Sequence, residues 1–270
     1  MRKNWLVILL FVLPVMLYFG LQSLISGGQK AASLNLENGS GAAYLPVVFS
    51  PMPTPEPEGI NGSFEEGWTD MTDRVQLPNY WELYRVPVGK PLFDSTDTAS
   101  GTCECKHLLN DQLPEEQQFG GSDALILDGF TVYKLFGVYE KWGSELSQTI
   151  NGLPPGSSWR LTVPIRVHLH DDPGEWSAES SVWVNDIGYW ANGFQMGNEN
   201  WCKHEQVFVV PADGKAEIAI RVKAKWALPK DFFIDDIRLQ PAGEPTPHQD
   251  LDWCRENPSL MSYQAINSER

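Results

Sequence analysis

Positive charge is scarce in this chain. Lysine and arginine number 20 against 35 aspartates and glutamates, a formal net charge of −15 over 270 residues. Polyphosphate partners demand the opposite sign, so nucleic acid is not expected as a partner. An acidic surface suits solubility, and it also suits a cation-rich setting with bound calcium. Helical periodicity is almost missing between residues 60 and 240, and no internal repeat appears. There is no nucleophile elbow, zinc-protease helix motif or phosphate-cradling glycine loop, which removes those catalytic classes. A glycosidase needs only two carboxylates flanking a cleft, and acids are abundant, so that reading stays open.

One long apolar run stands at the start. Trp5 to Ile25 holds no charged residue in 21 positions. As a helix it would be about 31 Å long, one bilayer core. Pro14 is tolerable there. Arg2 and Lys3 precede the run, so the positive-inside rule leaves the N-terminus in the cytoplasm and the remainder outside. The rival is a cleaved signal peptide, whose apolar region is usually shorter and ends at a small-residue site. Both readings export the chain. Residues 1–25 are therefore read as a membrane anchor or signal segment. Residues 26–58, with "SPMPTPEPEG", read as an extended Pro/Gly/Ser-rich stalk. Residues 59–241 carry the core pattern, and 242–270 read as a tail in which Trp253 and Cys254 suggest docking.

Cysteines are few, but export gives them a meaning. Cys103, Cys105, Cys202 and Cys254 form an even set in an oxidising compartment, so two disulfides are expected. Cys103 and Cys105 stand too close to bridge each other comfortably, so each should reach one of the other two. A zinc site is the alternative, but no second close pair of ligands exists.

What fills residues 60–240 is short alternating runs between Gly, Pro, Asn and Asp: "NGSFEEGW", "ALILDG", "ELSQTI", "SWRLTVPIRVHLH", "SSVWVN", "KHEQVFVV", "AEIAIRVKAKW" and "FFIDDIRL". Such a series predicts an all-β sandwich or barrel. The opening "NGSFEEGW", the closing "FFIDDIRL" and "LSQTINGLPPGSSWRLTVPIRV" between them resemble the extracellular carbohydrate-binding modules of the family 4/9/16/22-like group. The resemblance spans about residues 60 to 240. It implies a jelly roll of two antiparallel sheets and a non-catalytic, sugar-binding role. The loop "CECKHLLNDQLPEEQQFGG" is not a general feature of that group, and nothing in the resemblance names a sugar.

Two sites follow from this. Jelly-roll order would pair runs one, eight, three and six in one sheet and two, seven, four and five in the other. Glu65 and Asp235 would then meet at a sheet edge. Two buried carboxylates repel unless one is protonated or a cation lies between them. The resemblance implies a structural calcium held by Glu65 and Asp235, with carbonyls near Asn61 and Ser63 and the turn at Asp128 as further ligands. The alternative is that both carboxylates only accept backbone N–H groups. The second site is an outer sheet face. With Val, Ile and Leu of runs four, five and seven turned inward, Arg166, His168, Trp183, Asn185, Arg221 and Lys223 face out together. Trp183 would stack on a sugar ring, and the basic residues would pair with an anionic glycan. The alternative is a solvated face with one scattered tryptophan.

His168 and His170, beside Asp171 and Asp172, are half of a transition-metal site or the polar end of a strand. Trp68, Trp81, Trp159 and Trp226 are expected in or beside the core, and Trp142, Trp176, Trp190 and Trp201 in loops that rim a cleft. The functional expectation is a membrane-anchored extracellular module that binds polysaccharide without catalysis. A structural or adhesive sandwich, or a glycoside hydrolase, are the alternatives.

Overall fold

Alternation at period two in a chain with both apolar and polar faces gives strands whose apolar sides must meet. In the structure, a computed structural model, residues 60–172 and 174–254 are described. The expected membrane segment, the stalk and residues 255–270 lie outside them. Among the described residues no helix is long and apolar enough to cross a membrane.

The strands are β1 (Trp68–Thr72), β2 (Val75–Pro78), β3 (Glu82–Arg85), β4 (Glu104–Leu109), β5 (Thr131–Gly137), β6 (Trp142–Ile150), β7 (Ser158–His168), β8 (Ala178–Val184), β9 (Ile187–Asn192), β10 (Trp201–Val209), β11 (Ala216–Ala224), β12 (Lys230–Ile234), β13 (Arg238–Pro241) and β14 (Asp252–Trp253), with a short α-helix, α1 (Gly193–Met196), and two 3-10 turns, Asn110–Gln112 and Glu115–Gln117. The larger sheet runs β1-β2-β4-β5-β12-β7-β10-β14, with β13 also on β7, and the smaller runs β3-β6-β11-β8-β9. Leu161, Val163, Ile165 and Val167 of β7 meet Leu146 of β6, Val182 of β8 and Ile218, Ile220 and Val222 of β11 in one buried core. The described residues form a two-sheet β-sandwich.

The order of strands corrects the expectation. The run read as strand four, β7, lies in the larger sheet beside β12 and β10, not with β8 and β11, and the third run, in β6, lies in the smaller sheet beside β11, not with β12 and β10. Two other runs are not strands. Residues 61–67 form turns, with Asn61, Phe64 and Gly67 at positive φ. "ALILDG" is also irregular, and Leu125 and Ile126 pack with Phe233 and Val132 in a second buried cluster on the outer side of the larger sheet. That cluster uses the long loop between β4 and β5 as a cover. Phe232 and Ile234 face the main core while Phe233 faces the cover, so β12 is buried on both sides.

The closing run is interrupted as well. Asp236 has φ +51°, and residues 235–237 separate β12 from β13. Asp235 therefore sits in a break, not on a strand face. Opening and closing motifs do meet: the Ile237 N–H donates to the Gly62 carbonyl at 3.0 Å. A Cβ on Gly62 would lie 2.0 Å from the Ile237 oxygen, so only glycine fits there.

The cysteine pairing also differs. Cys202 and Cys254 form a disulfide, which ties the segment after β13 to β10, where β14 adds as a short parallel edge strand. Cys103 and Cys105 are free and buried. The order β4-β5-β12-β7-β10 explains this. Four strand spacings put Cys105 and Cys202 about 19 Å apart, beyond any disulfide reach.

Candidate functional site

The smaller sheet builds its outer face in cross-strand rows. One row is Glu82–Ser147–Ala219–Trp183–Gly188; the next is Tyr84–Glu145–Arg221–Ser181–Trp190; the third places Lys223 between Gly143 and Glu179. Alternation turns Ile218, Ile220 and Val222 into the core, so Ala219, Arg221 and Lys223 must face out. Trp183 is fixed from two sides. Its indole N–H donates to Ser181 Oγ at 2.8 Å. Gly188 lies against the ring so closely that a Cβ there would stand 2.5 Å from Trp183 Cδ2.

A cleft of about 220 Å³ opens beside this indole, lined among others by Glu82, Glu145, Gln148, Trp183, Glu217 and Arg221. The cations of this sheet face, of which Arg221 alone lines the cleft, are not free. Arg221 pairs with Glu145 and lies 4.9 Å from the Trp183 ring and 5.4 Å from the Phe93 ring. Lys223 reaches Asp94 at 2.8 Å and Glu179 at 3.1 Å, and its ammonium sits 3.6 Å over Trp190. Lys225 pairs with Glu179 at 3.4 Å. A second hollow of about 690 Å³ lies near the disulfide, with Phe194, Trp201 and Trp253 in its wall.

Trp183, Arg221 and Lys223 therefore share one face. Asn185 is at its edge in a different role. Asn185 and Asp186 both have positive φ and form the two-residue turn between β8 and β9, while Asn185 Oδ1 accepts from the Glu217 N–H at 2.9 Å. Arg166 and His168 belong to the other sheet. Arg166 is buried under the cover loop, bonded to the Asp123 carboxylate at 2.5 Å and to the Ala124 carbonyl at 3.3 Å. It clamps the loop and cannot reach the cleft. His168 stands at the far end of β7, next to His170 and Asp231. Alternation gave the phase of β7 but not the sheet it joins.

The tryptophans redistribute too. Trp142 is fully buried, edge-on to Phe232, while Trp226 is 45% exposed. Trp190 belongs to a strand and not a loop. Trp201 packs under the cover loop and donates to the Ala124 carbonyl at 2.9 Å.

At the meeting of the end motifs, Asp235 is buried and Glu65 is exposed, so the pair is not a buried one. Asp235 Oδ2 accepts from the N–H groups of Leu127 at 2.7 Å and Asp128 at 3.1 Å; Oδ1 accepts from Asp236 N–H at 2.7 Å. Glu65 Oε1 accepts from Phe130 N–H at 2.7 Å. Burial pushes the Asp235 carboxyl up to about 8 despite these bonds. Asn61 Oδ1 accepts from Glu66 N–H, Ser63 stands in the same turn, and the Asp128 carboxylate accepts from Arg238. These ligand atoms are oxygens, the set a hard cation takes; Asp235 Oδ2 already accepts two N–H groups, while Asp235 Oδ1 and Glu65 Oε1 each accept one and keep a lone pair.

No protein-family model matches the sequence, and no curated protein matches it. Among solved structures, the chain is similar to TmCBM61 in complex with β-1,4-galactotriose, at 17% identity over 69% of this chain and 99% of that one, with a TM-score of 0.44. It is also similar to the enzymatically active domain of bacteriophage CBA120 tailspike protein 4, at 15% identity over 60% of this chain and 19% of that one, TM-score 0.38. A family 16 carbohydrate-binding module shows 18% identity over 43% of this chain and 79% of that one, TM-score 0.30. At these values the likenesses add no weight to a function, which has to rest on the cleft.

Proposed function

We propose that this chain binds a glycan, without cleaving it, in the cleft on the outer face of the smaller sheet. The observation that carries the reading is Trp183, locked by Gly188 and Ser181 as one wall of a cleft whose other walls are hydrogen-bonding side chains. An indole edge and face bind the C–H surface of a sugar, and carboxylates, amides and a guanidinium bind its hydroxyls. Because these groups project from adjacent strands, their spacing is set by the sheet. The ion pairs of Arg221 and Lys223 favour a neutral glycan over the anionic one expected from sequence, since both cations already have carboxylate partners. Export, with an anchor in residues 5–25, is part of the same reading; the Cys202–Cys254 disulfide fits an oxidising compartment.

A glycan array spanning neutral and anionic polysaccharides tests this. Trp183→Ala should weaken the best ligand by about tenfold or more, roughly 1.4 kcal/mol, and leave the fold intact. Unchanged binding in that variant, with loss in Trp253→Ala, would move the site to the hollow by the disulfide. Release of reducing ends from the bound polysaccharide would instead give the cleft acids Glu82 and Glu217 the roles of a hydrolase.

The same reading includes a structural calcium held by Asp235, Glu65 and nearby carbonyls. Its support is a buried carboxylate that burial drives toward protonation, amid oxygen donors only. A bound cation would keep Asp235 ionised and join the two end motifs. Chelation should then lower the melting temperature, and calcium at a hundredfold excess over its dissociation constant should restore about 2.7 kcal/mol. A melting temperature indifferent to both removes the cation and leaves Asp235 as an acceptor of backbone N–H groups alone.

A further inference from the structure

On the opposite side of the molecule, the end of β7 gathers a different set of side chains. His168 and Asp231 are cross-strand partners in the β7–β12 register. The chain then turns at His170, which holds φ +52°, and lays its ring on that of His168, with centroids 3.8 Å apart and planes 17° apart. His170 Nε2 lies 3.1 Å from Asp231 Oδ2, and His168 Nδ1 lies 3.9 Å from the same oxygen. Among the described residues, this is the only group of three such side chains whose ligand atoms all fall within 4.8 Å of one another.

The geometry points to a binding site for one divalent ion of borderline softness, zinc in the simplest case, with His168 Nδ1, His170 Nε2 and Asp231 Oδ2 as its protein ligands. Tetrahedral zinc with bonds of about 2.05 Å holds its ligand atoms about 3.3 Å apart, and the two separations to Asp231 bracket that value. Two imidazoles and one carboxylate suit such an ion better than calcium, which prefers oxygen alone.

The surroundings supply the outer contacts of a metal site. His168 Nε2 donates to Glu199 Oε1 at 2.7 Å. That bond puts the proton on Nε2 and leaves the Nδ1 lone pair turned toward His170 and Asp231, the carboxylate–histidine arrangement that orients metal-binding imidazoles. Glu199 is itself placed by backbone pairing, its N–H donating to the Val167 carbonyl at 2.8 Å. Asp231 Oδ1 is held by Lys134 at 3.2 Å, which leaves Oδ2 for the ion. One adjustment is needed. Stacked rings cannot both aim lone pairs at one point, so they must tilt apart, and with about a third of each side chain exposed they have room to do so. A hollow of about 180 Å³ adjoins His168 and Asp231, bounded by Lys134, Arg166, Glu199 and Phe233, and it gives space for a fourth ligand from solvent. The other three histidines are elsewhere engaged: His204 on Ser180, His248 on Asp236, and His107 among Phe64, Trp68 and Tyr133.

The test uses the full-length chain without affinity histidines, stripped with chelator and kept in excess calcium so that the Asp235 region is saturated. Titration with zinc chloride by calorimetry should show one ion per chain, with a dissociation constant of about 1 μM or lower. Cobalt(II) in its place should give visible ligand-field absorption. His170→Asn keeps a residue that tolerates positive φ and should weaken zinc by at least about tenfold. Asp231→Asn should do the same, and Glu199→Gln less. Lys134→Met should tighten zinc, because it removes a cation beside the carboxylate. No saturable zinc uptake by the parent, or uptake unchanged in His170→Asn, overturns the site, whether or not Asp231→Asn folds.

Discussion

Two histidines are buried with no carboxylate bonded to them. His204 is fully enclosed, with Nε2 2.8 Å from Ser180 Oγ, and burial lowers it to about 3. His107 is stacked on Trp68 at 4.2 Å and lowered by burial to about 4. Both are neutral in the folded chain at neutral pH, while in the unfolded chain they protonate near 6.5. Between these values the unfolded state binds more protons, so stability rises with pH. The contribution is fully present above pH ~6.5 and is lost as pH falls toward the folded values, at up to about 1.4 kcal/mol per pH unit for each group. Urea unfolding between pH 7.5 and 5 should show this loss, and His204→Gln, which keeps a partner for Ser180, should flatten it. Equal slopes in parent and variant would show that His204 takes up its proton without unfolding.

At the scale of elements, the sequence made the phase of most strands legible and their order illegible. Alternation in β7, β8 and β11 correctly turned Leu161, Val163, Val182, Ile218 and Ile220 inward. In a sandwich, though, either sheet offers an inward side, so phase alone does not say which sheet receives β7. That one ambiguity separated Arg166 and His168 from Trp183, Arg221 and Lys223, and it also brought His168 to Asp231. Burial of β12 on two sides was hidden for another reason: alternation does not show that the loop between β4 and β5 brings Leu125 and Ile126 onto Phe233. Residues 61–67 and 235–237 are not strands because their apolar residues serve turns, with positive φ at Phe64 and Asp236 and the Ile237 N–H on the Gly62 carbonyl. The disulfide partner of Cys202 depended on strand order, so it was no more readable than the sheets.

At the scale of the whole molecule, charge bears on what kind of glycan the proposed site would admit. The chain carries −15, and on the cleft face Arg221, Lys223 and Lys225 are matched by Glu145, Glu179 and Asp94, with Glu82 and Glu217 left over. An anionic polymer would have to pull Arg221 or Lys223 from partners already within ion-pair distance, and it would meet the field of the remaining acids while doing so. A neutral polymer meets neither cost. Binding of a neutral glycan should therefore change by less than about twofold between 50 and 500 mM sodium chloride. A carboxylated or sulfated chain of the same backbone should bind more weakly at low salt and approach the neutral one as the screening length falls from over ~10 Å toward ~4 Å. Calorimetry or retardation gels at three salt concentrations separate the cases. An anionic glycan that binds best at low salt and weakens steeply as salt rises would mean that Arg221 and Lys223 exchange their carboxylates for the ligand, and that the cleft is a cationic site after all.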